Sequence, residues 1–111
     1  MEISCTQLRR CDLVTLSGRI DSSVAPEVDQ ALKQITDAGR FRIVLDMSGV
    51  TYVSSAFLRV LIKYLKTCKR WNRGDLRLAA LTPRIAEVFD LAGLPPLFKI
   101  FDTATLAVGS F

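Results

Sequence analysis

Residues 42–61, RIVLDMSGVTYVSSAFLRVL, change character in the middle, and the change decides the fold. The run RIVLDM (42–47) is nearly continuous in apolar residues, as in a strand covered on both faces. SGV (48–50) is expected to make its exit turn, in which Asp46 and Ser48 are turn residues rather than catalytic groups. Further on, Leu58, Leu61, Ile62, Leu65 and Cys68 recur at helical spacing and predict one buried stripe on a helix that begins at Ser54 or Ser55 and ends near Gly74. A strand followed directly by a helix is half of a βαβ unit, and two adjacent hydroxyls stand at the handover.

Upstream, residues 2–8 and 12–17 form short runs containing β-branched residues, separated by Arg9 and Arg10. They read as a hairpin whose second strand ends at Gly18. Val24, Val28, Ala31, Leu32 and Ile35 then mark a helix over 23–38, with Pro26 in its first turn and Gly39 at its end. Downstream, LRLAAL (76–81) reads as another buried strand. Thr82-Pro83 is a hydroxyl cap followed by proline at the first helical position, and Ile85, Val88, Phe89 and Ala92 give that helix its apolar face before Gly93. Pro95-Pro96 breaks the chain, FKIF (98–101) supplies a last short strand, and a final helical turn or two falls within 103–109.

The order β-β-α-β-α-β-α-β-α predicts an α/β fold with a mixed sheet: an N-terminal hairpin, then parallel strands joined by packed helices. The chain's 111 residues, half of them hydrophobic, suffice for one domain over 1–111 and are too few for two. Its apolar runs are far shorter than the roughly 20 residues of a membrane span, and the N-terminus lacks a secretory pattern, so a soluble cytoplasmic protein without membrane insertion is expected.

Histidine is absent, which excludes a Ser-His-Asp triad and removes the commonest metal ligand. Cys5, Cys11 and Cys68 have no metal-ligand spacing. They read as reduced thiols, with Cys5 and Cys11 also able to face each other across the hairpin. No Gly-rich phosphate loop is present, so no cofactor is expected. A net charge of +4 permits an acidic partner. Arg59, Lys63, Lys66 and Arg70 lie along one side of the second helix, with Lys69 and Arg73 nearby. They read as a solvated face or as a docking stripe for an acidic surface. Direct nucleic-acid binding is disfavoured, because the only aromatics interleaved there are Tyr64 and Trp71 and no known motif occurs.

At the handover, one serine suffices to cap the helix. A nucleophilic serine would lack both a histidine base and a G-x-S-x-G elbow. A phosphate, in contrast, is tolerated at a helix N-terminus while it repels a partner docked there.

Taken together, LSGRIDSS (16–23), VLDMSGVTYVSSAFLRVL (44–61), LRLAALTPRIAEVFDLAGL (76–94) and LFKIFDT (97–103) resemble the STAS family, specifically its bacterial anti-sigma factor antagonists. The resemblance implies a non-enzymatic switch protein. Its partners would be an anti-sigma factor that is also a serine kinase of the histidine-kinase-like ATPase type, which brings the ATP, and a serine phosphatase. The implied phosphoacceptor is Ser55, with Ser54 second. The implied partner-binding residues are Arg19, Asp21, Ser22, Ser23, Ser54, Ser55, Ala56, Phe57 and Arg59. Phe57 replaces the family's glycine and, lying about 100° around the helix from the Leu58-Leu61-Leu65 stripe, is expected to be partly exposed on the binding face. An alternative is an accessory subunit of a membrane lipid transporter, docked constitutively through the same helix.

Overall fold

A computed structural model describes all residues, Met1–Phe111. Strands β1 (Glu2–Gln7), β2 (Asp12–Ile20), β3 (Arg42–Val53), β4 (Asp75–Ala79) and β5 (Ile100–Phe101) form one sheet in sequential order. The first pair is antiparallel and the others are parallel. Helices α1 (Ala25–Asp37), α2 (Ser55–Lys69), α3 (Pro83–Leu91) and α4 (Ala104–Gly109) make the connections and the C-terminal cover. The predicted α/β class and mixed sheet are therefore present.

The apolar run of β3 is explained by its two faces. Ile43, Leu45 and Met47 belong to the main core with Val28, Leu32 and Ile35 of α1, Phe57 and Leu61 of α2 and Ile85 and Phe89 of α3. Val44 points to the opposite face, where Cys11, Ala79 and Ala107 of α4 form a smaller cluster. Two covered faces leave no polar position at Ile43, Val44 and Leu45.

Two strands outrun their expected ends. Gly18, at φ +85°, does not stop β2, which continues to Ile20. Likewise Ser48–Val50 does not turn β3 away. Thr15 pairs with Asp46 and Ser17 with Gly49, so Leu16 is opposed by two residues, Met47 and Ser48, and the pairing resumes beyond this bulge to Val53. Asp46 accepts the Ser48 amide at 3.0 Å within the bulge. Glycine is required at 49 because a Cβ there would stand 2.8 Å from Ser17 Cβ.

Helix α2 ends earlier than expected, at Lys69, and Trp71 and Asn72 then take left-handed backbone angles (φ 55° and 57°). Gly74 serves a different end: a Cβ on it would lie 2.0 Å from the Phe41 carbonyl oxygen, which also accepts the Asp75 amide. Hairpin register sets Cys5 opposite Val14, so Cys5 and Cys11 do not face each other, and all three cysteines are free.

Candidate functional site

The handover at residues 54–55 is built by β2 and β3 ending side by side. Arg19 pairs with Tyr52 and Ile20 with Val53, and the Ser54 amide donates to the Ile20 carbonyl at 2.9 Å. This bond holds the start of α2 against the loop that begins at Asp21. The two segments of the expected binding face, residues 19–23 and 54–59, are thereby brought together at the carboxyl ends of the strands, where open α/β sheets bind ligands.

The two serines differ in their commitments. Ser54 is extended (φ −99°, ψ 163°), and its Oγ accepts the Phe57 amide at 3.2 Å, the geometry of an N-cap. Ser55 is the first helical residue, is exposed, and uses its hydroxyl in no hydrogen bond within the chain. Its helix has no acidic residue in the first turn and carries Lys66 and Lys69 in its last, an arrangement that leaves the positive end of the dipole uncompensated by side-chain charge.

The adjoining loop is tied down by Asp21. Its Oδ1 accepts the Ser23 hydroxyl at 2.6 Å and the amides of Ser23 and Val24 at 3.0 and 3.2 Å. These bonds, the Ser23 hydroxyl foremost, hold the Asp21 carboxyl below its ordinary pKa, with Arg19 adding to the effect. Asp21 is thus a loop-forming residue, while Ser22 stays exposed. Arg19 stacks over the Tyr52 ring at 4.3 Å, which presents a cation and an aromatic edge together beside the serines.

Between α1 and α2 runs a shallow groove of about 290 Å³ lined by Ser22, Pro26, Asp29, Ala56, Arg59 and Lys63, among others. Asp29 organises its wall. Lys63 Nζ lies 3.2 Å from both carboxylate oxygens, and the Tyr64 hydroxyl donates to Oδ1. The Tyr64 bond, followed by Lys63, lowers the Asp29 pKa, while burial first and Asp29 second raise that of Tyr64. Asp29 and Tyr52 were not singled out by the sequence. Asp29 occupies a polar position within an otherwise ordinary amphipathic helix, and only the packing of α1 on α2 reveals its partners.

One expected site residue is corrected. Phe57 is fully buried, with 0% of its surface exposed, and belongs to the main core; its ring is no part of the binding face. The buried stripe of α2 is Phe57, Leu61, Tyr64, Leu65 and Cys68, whereas Leu58 and Ile62 are only half-buried at its flank. Tyr64 is likewise buried, so Trp71, 79% exposed, is the one aromatic displayed along the basic stripe. Of that stripe, Lys63 is engaged by Asp29, whereas exposed Arg59 and Lys66 join no salt bridge.

Residues 2–107 match the STAS domain, and the chain belongs to that family. Among its relatives is BtrV of Bordetella bronchiseptica, a candidate anti-sigma factor antagonist, 29% identical over 111 residues that cover 100% of this chain and 95% of the relative. The anti-sigma-B factor antagonist of Staphylococcus epidermidis is 25% identical over 87 residues, 78% of this chain and 80% of that one. A candidate anti-sigma factor antagonist from Thermotoga maritima shares the fold with a TM-score of 0.90 at 19% identity, covering 97% of this chain and 92% of the other. The Bacillus cell fate determinant SpoIIAA, solved in its phosphorylated form, superposes with a TM-score of 0.76 at 14% identity over 98% of both chains. No helix of the chain is long and apolar enough to cross a membrane.

Proposed function

We propose that this chain is an anti-sigma factor antagonist, a binding module whose grip on its partner is set by phosphorylation of Ser55. The observation that carries the reading is the division between the two hydroxyls: Ser54 is spent on the cap, while Ser55 is exposed and bonded to nothing. Relatives named as antagonists of anti-sigma factors supply the class of partner. That partner is an anti-sigma factor acting also as a serine kinase and bringing its own ATP, and a phosphatase restores the free hydroxyl.

The docking face is Arg19, Ser22, Ser55, Ala56 and Arg59 around the groove, with Asp21 and Ser23 holding the loop in shape. A phosphate on Ser55 meets the free amides at the start of α2, which accommodate its charge, so the fold persists. A partner pressed on the same spot meets close to two added negative charges and must desolvate them, so binding is lost.

Capture experiments with the wild type, Ser55→Ala and Ser55→Asp as baits test the reading. The wild type and Ser55→Ala should retain a kinase-like anti-sigma factor, and Ser55→Asp should weaken it by about tenfold or more, on the order of 1.4 kcal/mol. Undiminished binding by Ser55→Asp contradicts the switch and favours a constitutive subunit.

A further inference from the structure

The opposite end of the sheet gathers cations from three separate parts of the chain. The β1–β2 turn, the α1–β3 connection and the segment before β4 meet at the amino-terminal ends of the parallel strands. They enclose a pocket of about 280 Å³ whose charged walls are Arg9, Arg10, Arg40, Arg42 and Arg73, with Asp12 as the single carboxylate. Five cations against one anion leave a formal charge of +4, as large as the net charge of the entire chain.

Only part of this charge is used by the fold. Arg9, Arg10 and Arg42 enter none of the chain's salt bridges. Arg40 places Nε 3.1 Å from both oxygens of buried Asp12, which leaves its two terminal nitrogens without a protein acceptor. Arg73 is the more committed one: its guanidinium lies 3.7 Å above the Phe41 ring and Nη2 donates to the Thr67 carbonyl, while its Nε is buried and has no hydrogen-bond partner. Arginines lining one concavity repel one another and focus a positive field, and their planar donor forks match phosphate oxygens. The volume lies just below that of drug-sized ligand sites, so the anion is compact. One phosphate neutralises only part of the charge, whereas two or three linked phosphoryl groups match it.

We propose that this pocket binds a small polyphosphate anion through Arg9, Arg10, Arg40, Arg42 and Arg73, at a site separate from the Ser55 face and independent of its function. Equilibrium dialysis of the full chain against radiolabelled pyrophosphate, at about 0.15 M ionic strength where remote charges are screened, tests it. One equivalent per chain should bind saturably. Arg9→Gln combined with Arg42→Gln should weaken binding by about tenfold or more, since two charge-assisted contacts are lost. Arg84→Gln combined with Lys99→Gln removes the same formal charge from exposed positions outside the pocket and should change affinity by no more than about twofold. Circular dichroism checks that each variant is folded; should the first pair fail, Arg10→Gln in the exposed turn carries the test and should weaken binding several-fold. Absence of saturable binding, or equal weakening by both pairs, would overturn the proposal, the latter by showing only attraction to net charge.

Discussion

Replacing Phe57 by alanine separates a core ring from a recognition ring. The side chain is wholly buried among residues of α1, α2, α3 and the sheet, so its removal sacrifices both the transfer energy of the ring and the contacts around the void. Fully buried phenylalanines of this kind cost about 3–5 kcal/mol when cut to alanine. Domains of this size are stable by roughly 5–15 kcal/mol, so the loss is a large fraction of the total. At about 4 °C per kcal/mol, the melting temperature should fall by roughly 12–20 °C. Phe57→Gly adds about 1 kcal/mol more, because glycine is a poor residue for the first turns of α2. Urea and thermal unfolding followed by circular dichroism measure these losses. A ring standing on an open binding face would cost less than about 0.5 kcal/mol, and a loss that small would refute its assignment to the core.

Further outcomes concern the groups around the two serines and the thiols. Ser54→Ala should cost about 1 kcal/mol in chemical unfolding through the lost cap while leaving Ser55 in place; no loss at all would mean that the Ser54–Phe57 bond does not cap α2. Asp29→Asn should destabilise the protein at neutral pH, and the gap from the wild type should close with acid. The folded Asp29 pKa is lowered, so its contribution is present above the ordinary value near about 3.9 and disappears as pH falls through the folded value; a gap undiminished at about pH 2 contradicts the pairing with Tyr64 and Lys63. Burial, with Asp75 second, pushes the Cys68 thiol up to about 12, and Cys11 is buried too, so a thiol reagent should modify exposed Cys5 first and the other two only on unfolding. Equal rates at all three would contradict the packing.

The misplacement of Phe57 shows how far α2 could be read in advance. SAFLRVLIKYLKTCK is apolar around more than half its circumference, so Leu58, Leu61, Ile62 and Leu65 make as regular a stripe as Phe57, Leu61, Tyr64, Leu65 and Cys68. The cations break the tie. Arg59, Lys63, Lys66 and Arg70 cluster within about 60° of helical rotation, and Phe57 lies two residues from Arg59, about 160° around the axis by the shorter way. Centring the solvent face on the charges places Phe57 inside, so the sequence carries the signal. The bulge at Ser48 was harder to anticipate, because SG after an apolar run reads as a turn unless the neighbouring strand is known to continue. Caps at Ser54 and Thr82 follow a legible pattern, a hydroxyl just before a helical run, and each accepts the amide three residues on. Asp29 and the five-arginine pocket depend on residues far apart in sequence, and only the folded chain assembles them.

The central claim is that one of two adjacent serines caps and the other switches. Incubating the wild-type chain with its kinase and ATP and locating the phosphate by mass spectrometry tests that claim directly. Phosphate should appear on Ser55, the exposed and unbonded hydroxyl, with Ser54 unmodified. Phosphate on Ser54 alone, or on neither serine, would contradict the account.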